Sequence, residues 1–232
     1  MRSVLAVAAL LFVTAGAGAQ DIPDLSGNWA ADTCLPADAG PCPFDFDALP
    51  LHPRARAHME VFDEPIATKY SCVQVSLPTL AADNFSVGFE QLDDRVVLTY
   101  EKDDVVRTVW LEGHGHPEAH SYDFSIQGHS VGRYEAGELI IETTKFAYDP
   151  TGLWDEWPVP SSTEKRVVER YRREGDRLVA DVQVDDPVFL TAPVGFTFQW
   201  NRSEAALVLP WGCDPVRARE PLQYLPSRWA TD

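Results

Sequence analysis

Histidines are concentrated in one short stretch of this sequence. Four of the six lie between Gly113 and His129: three in the run Gly-His-Gly-His-Pro-Glu-Ala-His at 113–120, and the fourth at His129 itself. Imidazole binds metals and also transfers protons near neutral pH. The stretch is therefore the main indication of chemistry in the chain, and three hypotheses account for it.

The first hypothesis is a metal site. His114 and His116 are two residues apart, so on a strand they would share one face. Further potential ligands lie nearby, namely His120, His129, Glu118 and Glu135. Nitrogen and carboxylate ligands of this kind fit zinc or copper. The interspersed glycines favour a loop, however, and we assign no metal or other cofactor.

The second hypothesis is proton transfer without a cofactor. His116 or His129 would act as general acid or base. Glu135 would be the carboxylate partner, and Arg107 would stabilise developing negative charge. Glu101 and Arg107 flank a predicted hairpin turn, and we expect them to face each other across the ladder. Such a set supports lyase, isomerase or hydratase chemistry.

The third hypothesis gives the same residues a structural role. His129 and Ser130 would bond backbone groups beside glycine turns. Glu135 would form an ion pair with Arg107 or Arg170. Buried polar residues in barrels are normally satisfied in this way.

The elements that position these residues are mostly strands. From Phe85 onward the hydrophobic pattern alternates with a period of two, and hairpin signals such as Glu174-Gly175-Asp176 separate the segments. The strongest segments are 87–91, 96–101, 105–111, 139–144, 167–172, 178–184 and 196–200. One short helix is predicted at His52–Asp63.

Many of these strands carry large side chains on both faces, which favours a curved sheet with an inner cavity. The fold prediction is therefore mostly β, an antiparallel meander that closes into a β-barrel. Asp149–Trp157 is predicted as a long loop, in which Trp154 and Trp157 either cover the barrel mouth or pack as a plug.

Charge and targeting narrow the possible partners and compartment. The 232 residues carry 36 acidic and 19 basic side chains, a formal net charge of −17, which disfavours nucleic acid and anionic membranes as partners. Residues 1–19 have the basic, apolar and small-residue regions of a secretory signal peptide. We expect a periplasmic or secreted protein without a membrane span, with an N-terminal arm at 20–84 and a barrel at 85–232.

Four cysteines in an exported chain indicate disulfides. Cys34 and Cys42 flank a short loop and could close it locally, and Cys72 and Cys213 would then join an early segment to the C-terminal tail. Three connectivities are possible, and the sequence does not choose among them.

Two groups of residues resemble known barrel proteins. Gly27-Asn28-Trp29 resembles the Gly-x-Trp start of lipocalins and other calycins. In those proteins the Trp closes one barrel end and an Arg from a late strand packs across it. The resemblance makes Arg202 the candidate for that Arg.

The stretch Val96 to Pro187 is similar to a family of exported bacterial proteins predicted to be lipocalin-like. The matching residues include Glu101, Arg107, Gly113, His116-Pro117, Gly128-His129-Ser130, Gly132, Tyr134-Glu135, Leu139-Ile140-Ile141, Thr143, Phe146, Ser162, Val168-Glu169-Arg170 and Asp186-Pro187. The resemblance implies a lipocalin-like barrel and brings no established activity.

These observations favour a protein that binds a small, largely apolar or aromatic molecule inside the barrel. The expected ligand-binding residues are Tyr134, Trp154, Trp157, Glu101 and Ser130. The alternative is the cofactor-free enzyme described above, acting through His116, His129, Glu135 and Arg107. The oligomeric state is not predicted.

Overall fold

The structure is a computed structural model, and it describes residues 22–32, 49–83, 85–113, 123–154 and 158–224. Within these ranges the strands are β1 Gly27–Ala31, β2 Val87–Gln91, β3 Arg95–Tyr100, β4 Val106–Leu111, β5 His129–Glu135, β6 Glu138–Thr144, β7 Asp149–Trp154, β8 Val159–Ser161, β9 Arg166–Glu174, β10 Arg177–Asp185 and β11 Val194–Ser203. The α-helices are α1 Pro53–Val61, α2 Thr79–Ala82 and α3 Pro215–Arg219.

Nine of these strands form a closed barrel in the order β1-β11-β10-β9-β6-β5-β4-β3-β2, which returns to β1. The predicted mostly-β barrel is therefore confirmed. Its neighbours are antiparallel with one exception, because β4 and β5 run parallel. Parallel neighbours need a crossover connection instead of a tight turn. A simple antiparallel meander was thus the wrong topology at this one pair.

Alternating side chains explain why these segments form the barrel wall. Along β11, Phe196, Phe198 and Trp200 are buried inside the barrel, and the residues between them are exposed. The β5–β6 hairpin turns through Ala136 and Gly137, whose φ values of 53° and 80° suit a two-residue hairpin loop. Local pattern and turn chemistry therefore agree with the barrel.

Trp29 on β1 is fully buried and donates from Nε1 to the Leu25 carbonyl at 2.8 Å. The Arg202 guanidinium lies 5.2 Å from the centre of the Trp29 ring. This confirms the predicted position of Arg202. Gly27, at φ +112°, passes directly beneath the guanidinium, where a Cβ atom would lie 2.6 Å from Arg202 Nη2.

The N-terminal arm includes one strand of the barrel. β1 pairs with both β11 and β2, although the sequence placed it in the arm. Its alternation is weak because Asn28, Ala30 and Ala31 surround a single large residue. The predicted helix is confirmed as α1, and the bridge between Leu51 and Leu190 holds the chain just before it.

The predicted loop at Asp149–Trp157 is partly strand. β7 and β8 form a separate two-stranded sheet outside the barrel order. The Asp149 carboxylate accepts hydrogen bonds from the backbone and hydroxyl of Thr151, which folds the start of β7 locally. Polar and proline residues concealed this hairpin from an alternation-based prediction.

A disulfide joins Cys72 to Cys213, as one of the predicted pairings has it. Cys34 and Cys42 lie outside the described residues. A disulfide of this kind is compatible with an oxidising compartment. In the described ranges, no helix is long and apolar enough to cross a membrane.

Candidate functional site

The centre of the barrel contains a buried ion pair between Arg107 on β4 and Glu169 on β9. Arg107 Nη1 donates to Glu169 Oε1 at 3.1 Å, and Nη2 donates to Oε2 at 2.7 Å. The two side chains are 1% and 0% exposed. Bidentate geometry of this kind gives the strongest form of the Arg–carboxylate interaction.

Four hydroxyl groups complete this network, which we call the polar core together with Arg107 and Glu169. Arg107 donates to Tyr100, Ser130 and Thr143, and the Tyr171 hydroxyl donates to Glu169. Burial alone would lower the pKa of Arg107, but the Glu169 charge and the nearby tyrosines raise it overall. Arg107 therefore stays charged, and burial raises the pKa of Tyr100, which stays neutral.

Aromatic rings surround the polar core. Phe89 packs edge-on against Tyr171 with ring centres 5.1 Å apart, and Trp200 lies 6.4 Å from Tyr171 and 6.3 Å from Phe198. A closed barrel with a buried aromatic cluster is compatible with small-molecule binding.

A cavity of about 230 Å³ opens where β4 and β5 separate, and we call it the seam cavity. The two strands pair only from Val109 opposite Ser130 to Leu111 opposite Gly132. Before that point they diverge, and Arg107, His129 and Ser130 line the gap. Three of the predicted site residues therefore meet in one cavity.

Two fixed polar groups belong to residues of the seam cavity. Arg107 Nε and Gln127 Oε1 are buried, and neither has a hydrogen-bond partner among the described residues. Gln127 Nε2 donates to the Val75 carbonyl at 2.7 Å, which fixes the orientation of the amide because a carbonyl can only accept. Two residues of the seam cavity thus carry one buried donor and one buried acceptor, and both side chains are held in place by other contacts.

Glu101 and Arg107 are not brought together, so the predicted contact across the ladder was wrong. Leu98 is the partner of Arg107 in the β3–β4 register. Glu101 lies beyond the end of β3 and accepts from the Ser86 and Val208 amides. Burial opposes the charge of Glu101, but these hydrogen bonds lower its pKa overall.

Tyr134 and Glu135 lie at the opposite end of β5 from His129. Glu135 is exposed and forms an ion pair with Arg133. It pairs with neither Arg107 nor Arg170, contrary to the predicted alternatives; Arg170 contacts Glu138 instead.

Tyr134 is buried, and its hydroxyl accepts from Gln91 Nε2 at 2.8 Å. Gln91 also accepts from the Leu25 amide and donates to the Pro23 carbonyl, so it links Tyr134 to the segment before β1.

Several predicted residues lie outside the described ranges or have only their backbone described. His116 and Trp157 lie outside the described residues, as do the potential metal ligands His114, Glu118 and His120. Trp154 ends β7, and only its backbone is described. Among the described residues, no group of three potential ligands is close enough to hold a metal ion.

Sequence reasoning did not assign a role to a second buried cation, Lys165. Its Nζ atom donates to Ser76 Oγ, Leu77 O and Gly152 O, at 2.9, 2.7 and 3.1 Å. Burial lowers its pKa to about 7, although Asp149 and Asp186 partly counter the effect. The three hydrogen bonds join the residue just before β9 to the segment before α2 and to β7.

Glu169 was the other residue without a predicted role. It stands at an inward position of β9, between Val167 and Tyr171, so the alternation itself was the signal. A charged residue at an inward position needs a partner of opposite charge.

No family model matches the chain, and no curated protein is significantly similar to it.

Proposed function

We propose that this protein binds a small, largely aromatic molecule, which enters the barrel wall at the seam cavity. The observation that carries the proposal is the meeting of Arg107, His129 and Ser130 in one cavity beside the polar core. The volume is below the roughly 300–1,000 Å³ of clefts that hold drug-sized ligands, which favours a ligand of one or two rings.

The walls of the cavity suit a flat apolar molecule with a polar edge. Trp110 and Val106 supply apolar surface, and Val106 is 59% exposed at the opening. The polar lining residues are Arg107, Thr108, Gln127, His129 and Ser130. Five of the eight lining residues are polar, so a bound ligand would meet apolar surface on Val106 and Trp110 and polar groups elsewhere.

The experiment is a titration followed by amide and indole chemical shifts, with indole and quinoline as probes. We expect shifts at Trp110, Gln127 and His129, and we expect Trp110→Ala to weaken binding at least about tenfold, because aromatic contact area is lost. Tyr148→Ala is the matched control, since Tyr148 is exposed and outside the cavity. Shifts confined to other parts of the barrel would contradict the proposal.

A cofactor-free proton-transfer enzyme is the second candidate, favoured by His129 in the same cavity as Arg107. His129 would act as the acid–base group. The test is deuterium exchange at the α-carbon of 1-indanone in heavy water. Exchange that is faster with the wild type than with His129→Gln supports catalysis, and equal rates exclude it for this class of substrate.

The proposed relationship to lipocalin-like barrels is supported by the closed barrel and by Arg202 above Trp29. The Cys72–Cys213 disulfide supports export to the periplasm or outside the cell. Mass spectrometry of the mature N-terminus in an exporting host would test cleavage after residue 19.

A further inference from the structure

We infer that the ligand of the seam cavity is a neutral molecule that carries both a hydrogen-bond acceptor and a hydrogen-bond donor. The inference rests on the proposed function and names the class of ligand. It follows from two buried atoms, Arg107 Nε and Gln127 Oε1, that lack partners among the described residues.

The two atoms have opposite requirements. Arg107 Nε carries a hydrogen and can only donate, so it needs an acceptor. Gln127 Oε1 can only accept, so it needs a donor. Leaving either buried group unpaired is unfavourable. A ligand that pairs with both groups therefore binds with a more favourable free energy than one that pairs with a single group.

Both atoms are held in place before any ligand binds. The two terminal nitrogens of Arg107 are occupied by Glu169, Tyr100, Ser130 and Thr143, which leaves Nε as the remaining donor. Gln127 is anchored on the Val75 carbonyl. Preorganised polar groups reject analogues that lack the matching atom far better than an apolar pocket rejects a missing methylene.

The charges around the seam cavity disfavour an anionic ligand. The Arg107 charge is already matched by Glu169 at 2.7 Å, so a carboxylate on the ligand would bring an uncompensated negative charge to a buried site. The protein as a whole carries a net charge of −17, which adds to the repulsion. A neutral carbonyl or ring nitrogen is therefore the better acceptor for Arg107 Nε.

The experiment compares matched bicyclic probes on the wild-type protein by calorimetry and chemical shifts. Indole carries a donor only, and quinoline carries an acceptor only. 2-Quinolone and 6-hydroxyquinoline carry both, on adjacent and on distant atoms. 2-Naphthoate is the anionic probe. We expect one of the two bifunctional probes to bind at least about tenfold more tightly than indole and quinoline, and 2-naphthoate to bind most weakly.

Two variants test whether Arg107 Nε and Gln127 Oε1 cause the tighter binding of the bifunctional probes. Arg107→Lys keeps a positive charge beside Glu169 but removes Nε, so the bifunctional probes should fall to the level of indole, which pairs only with Gln127. Gln127→Met keeps the side-chain length but removes the acceptor, so the bifunctional probes should fall to the level of quinoline. The wild-type comparison stands even if Arg107→Lys fails to fold.

The outcomes separate this inference from the proposed function. If no probe shifts the resonances of the seam cavity, the proposed function fails. If indole, quinoline and the bifunctional probes bind there with equal affinity, the site is real but the inferred ligand class is wrong. Tightest binding by 2-naphthoate would overturn the requirement for a neutral ligand.

Discussion

Arg107 and Glu169 place two opposite charges in the middle of a barrel whose other interior side chains are largely apolar. A buried ion pair is often no more stabilising than apolar residues of the same volume, because both charges lose their hydration. In this barrel the ion pair fixes the orientation of the Arg107 side chain. Glu169 holds the Arg107 guanidinium so that Nε is the remaining donor beside the seam cavity.

The first prediction concerns the loss of one partner of this pair. Glu169→Gln leaves the Arg107 charge buried without a counter-charge, and we expect the free energy of unfolding to fall by about 3–5 kcal/mol. Urea denaturation followed by far-UV circular dichroism measures the change.

Glu142→Gln is a matched control for this prediction. Glu142 on β6 forms a bidentate pair with Arg166 on β9, as Glu169 does with Arg107, but on the exposed side of the barrel. Removing an exposed pair should change the unfolding free energy by about 1 kcal/mol or less. Equal losses in Glu169→Gln and Glu142→Gln would show that burial of the Arg107–Glu169 pair does not determine its contribution.

The second prediction concerns Lys165 and pH. Burial lowers its pKa to about 7 in the folded protein, whereas an unfolded lysine titrates near ~10.4. Between these values the unfolded chain binds more protons, so the unfolding free energy should rise with pH. The slope is at most about 1.4 kcal/mol per pH unit. Below pH 7 both states are protonated and the contribution of Lys165 is least favourable.

Denaturation of the wild type and of Lys165→Met between pH 7 and 9 checks this slope. The variant also leaves Leu77 O and Gly152 O without their donor, so its overall stability should be lower. The test is therefore the difference in slope between the two proteins. Parallel pH profiles would mean that Lys165 keeps an ordinary pKa in the folded state.

Among the elements, the β5–β6 hairpin has a turn that its sequence does not optimise. Ala136 has a φ of 53°, which an alanine side chain disfavours and an asparagine tolerates. The third prediction is that Ala136→Asn, which creates an Asn-Gly turn, raises the unfolding free energy by about 0.5–1 kcal/mol. Thermal and urea denaturation measure it.

The control for the turn is Ala205→Asn. Ala205 is also exposed, but it is not among the described residues with positive φ. We expect a change within about 0.5 kcal/mol, as is usual for surface substitutions. A similar gain at both positions would indicate a general effect of asparagine instead of relief at the turn.

Element types were predictable wherever side chains alternate strongly, as in β3, β4, β9, β10 and β11. β1 and β7 were not, because small or polar residues weaken their alternation. The parallel pairing of β4 with β5 was also not predictable, since a period of two is the same in parallel and antiparallel strands. That pairing creates the seam, so the location of the cavity could not be derived from the sequence.

The residues of the candidate site were only partly predictable from the sequence. Arg107, His129 and Ser130 were selected as residue types and do meet in the seam cavity. Gln127 was missed because it precedes β5, outside any regular pattern, and its anchor Val75 is 52 positions away in the sequence. Long-range contacts of this kind leave no local signal.

For the whole molecule, the Cys72–Cys213 bond joins the segment before α2 to the C-terminal tail. The tail also contacts the barrel through polar bonds, including Asn28 Nδ2 to Ala205 O and the Trp211 amide to Asp104. The cysteines are 141 positions apart, so the bond restricts a long loop in the unfolded chain.

The fourth prediction follows from this long loop. Replacing Cys72 and Cys213 together with serine should lower the unfolding free energy by about 2–5 kcal/mol. Hydrogen exchange should increase mainly in residues 204–224, while the barrel strands stay protected. Exchange that increases uniformly around the barrel would instead make the disulfide part of the barrel's own stability.

The pairing of β1 with β11 has a consequence for biosynthesis. The barrel closes only when Trp29 near the start of the chain finds Trp200 and Arg202 near its end, through the ladder of Ala31 with Trp200 and Trp29 with Arg202. During vectorial synthesis β1 can pair with β2 early, but the other edge of β1 stays open until β11 docks there. A nascent chain therefore remains an incomplete cylinder until its last strand emerges, and that interval is when it most needs protection from aggregation.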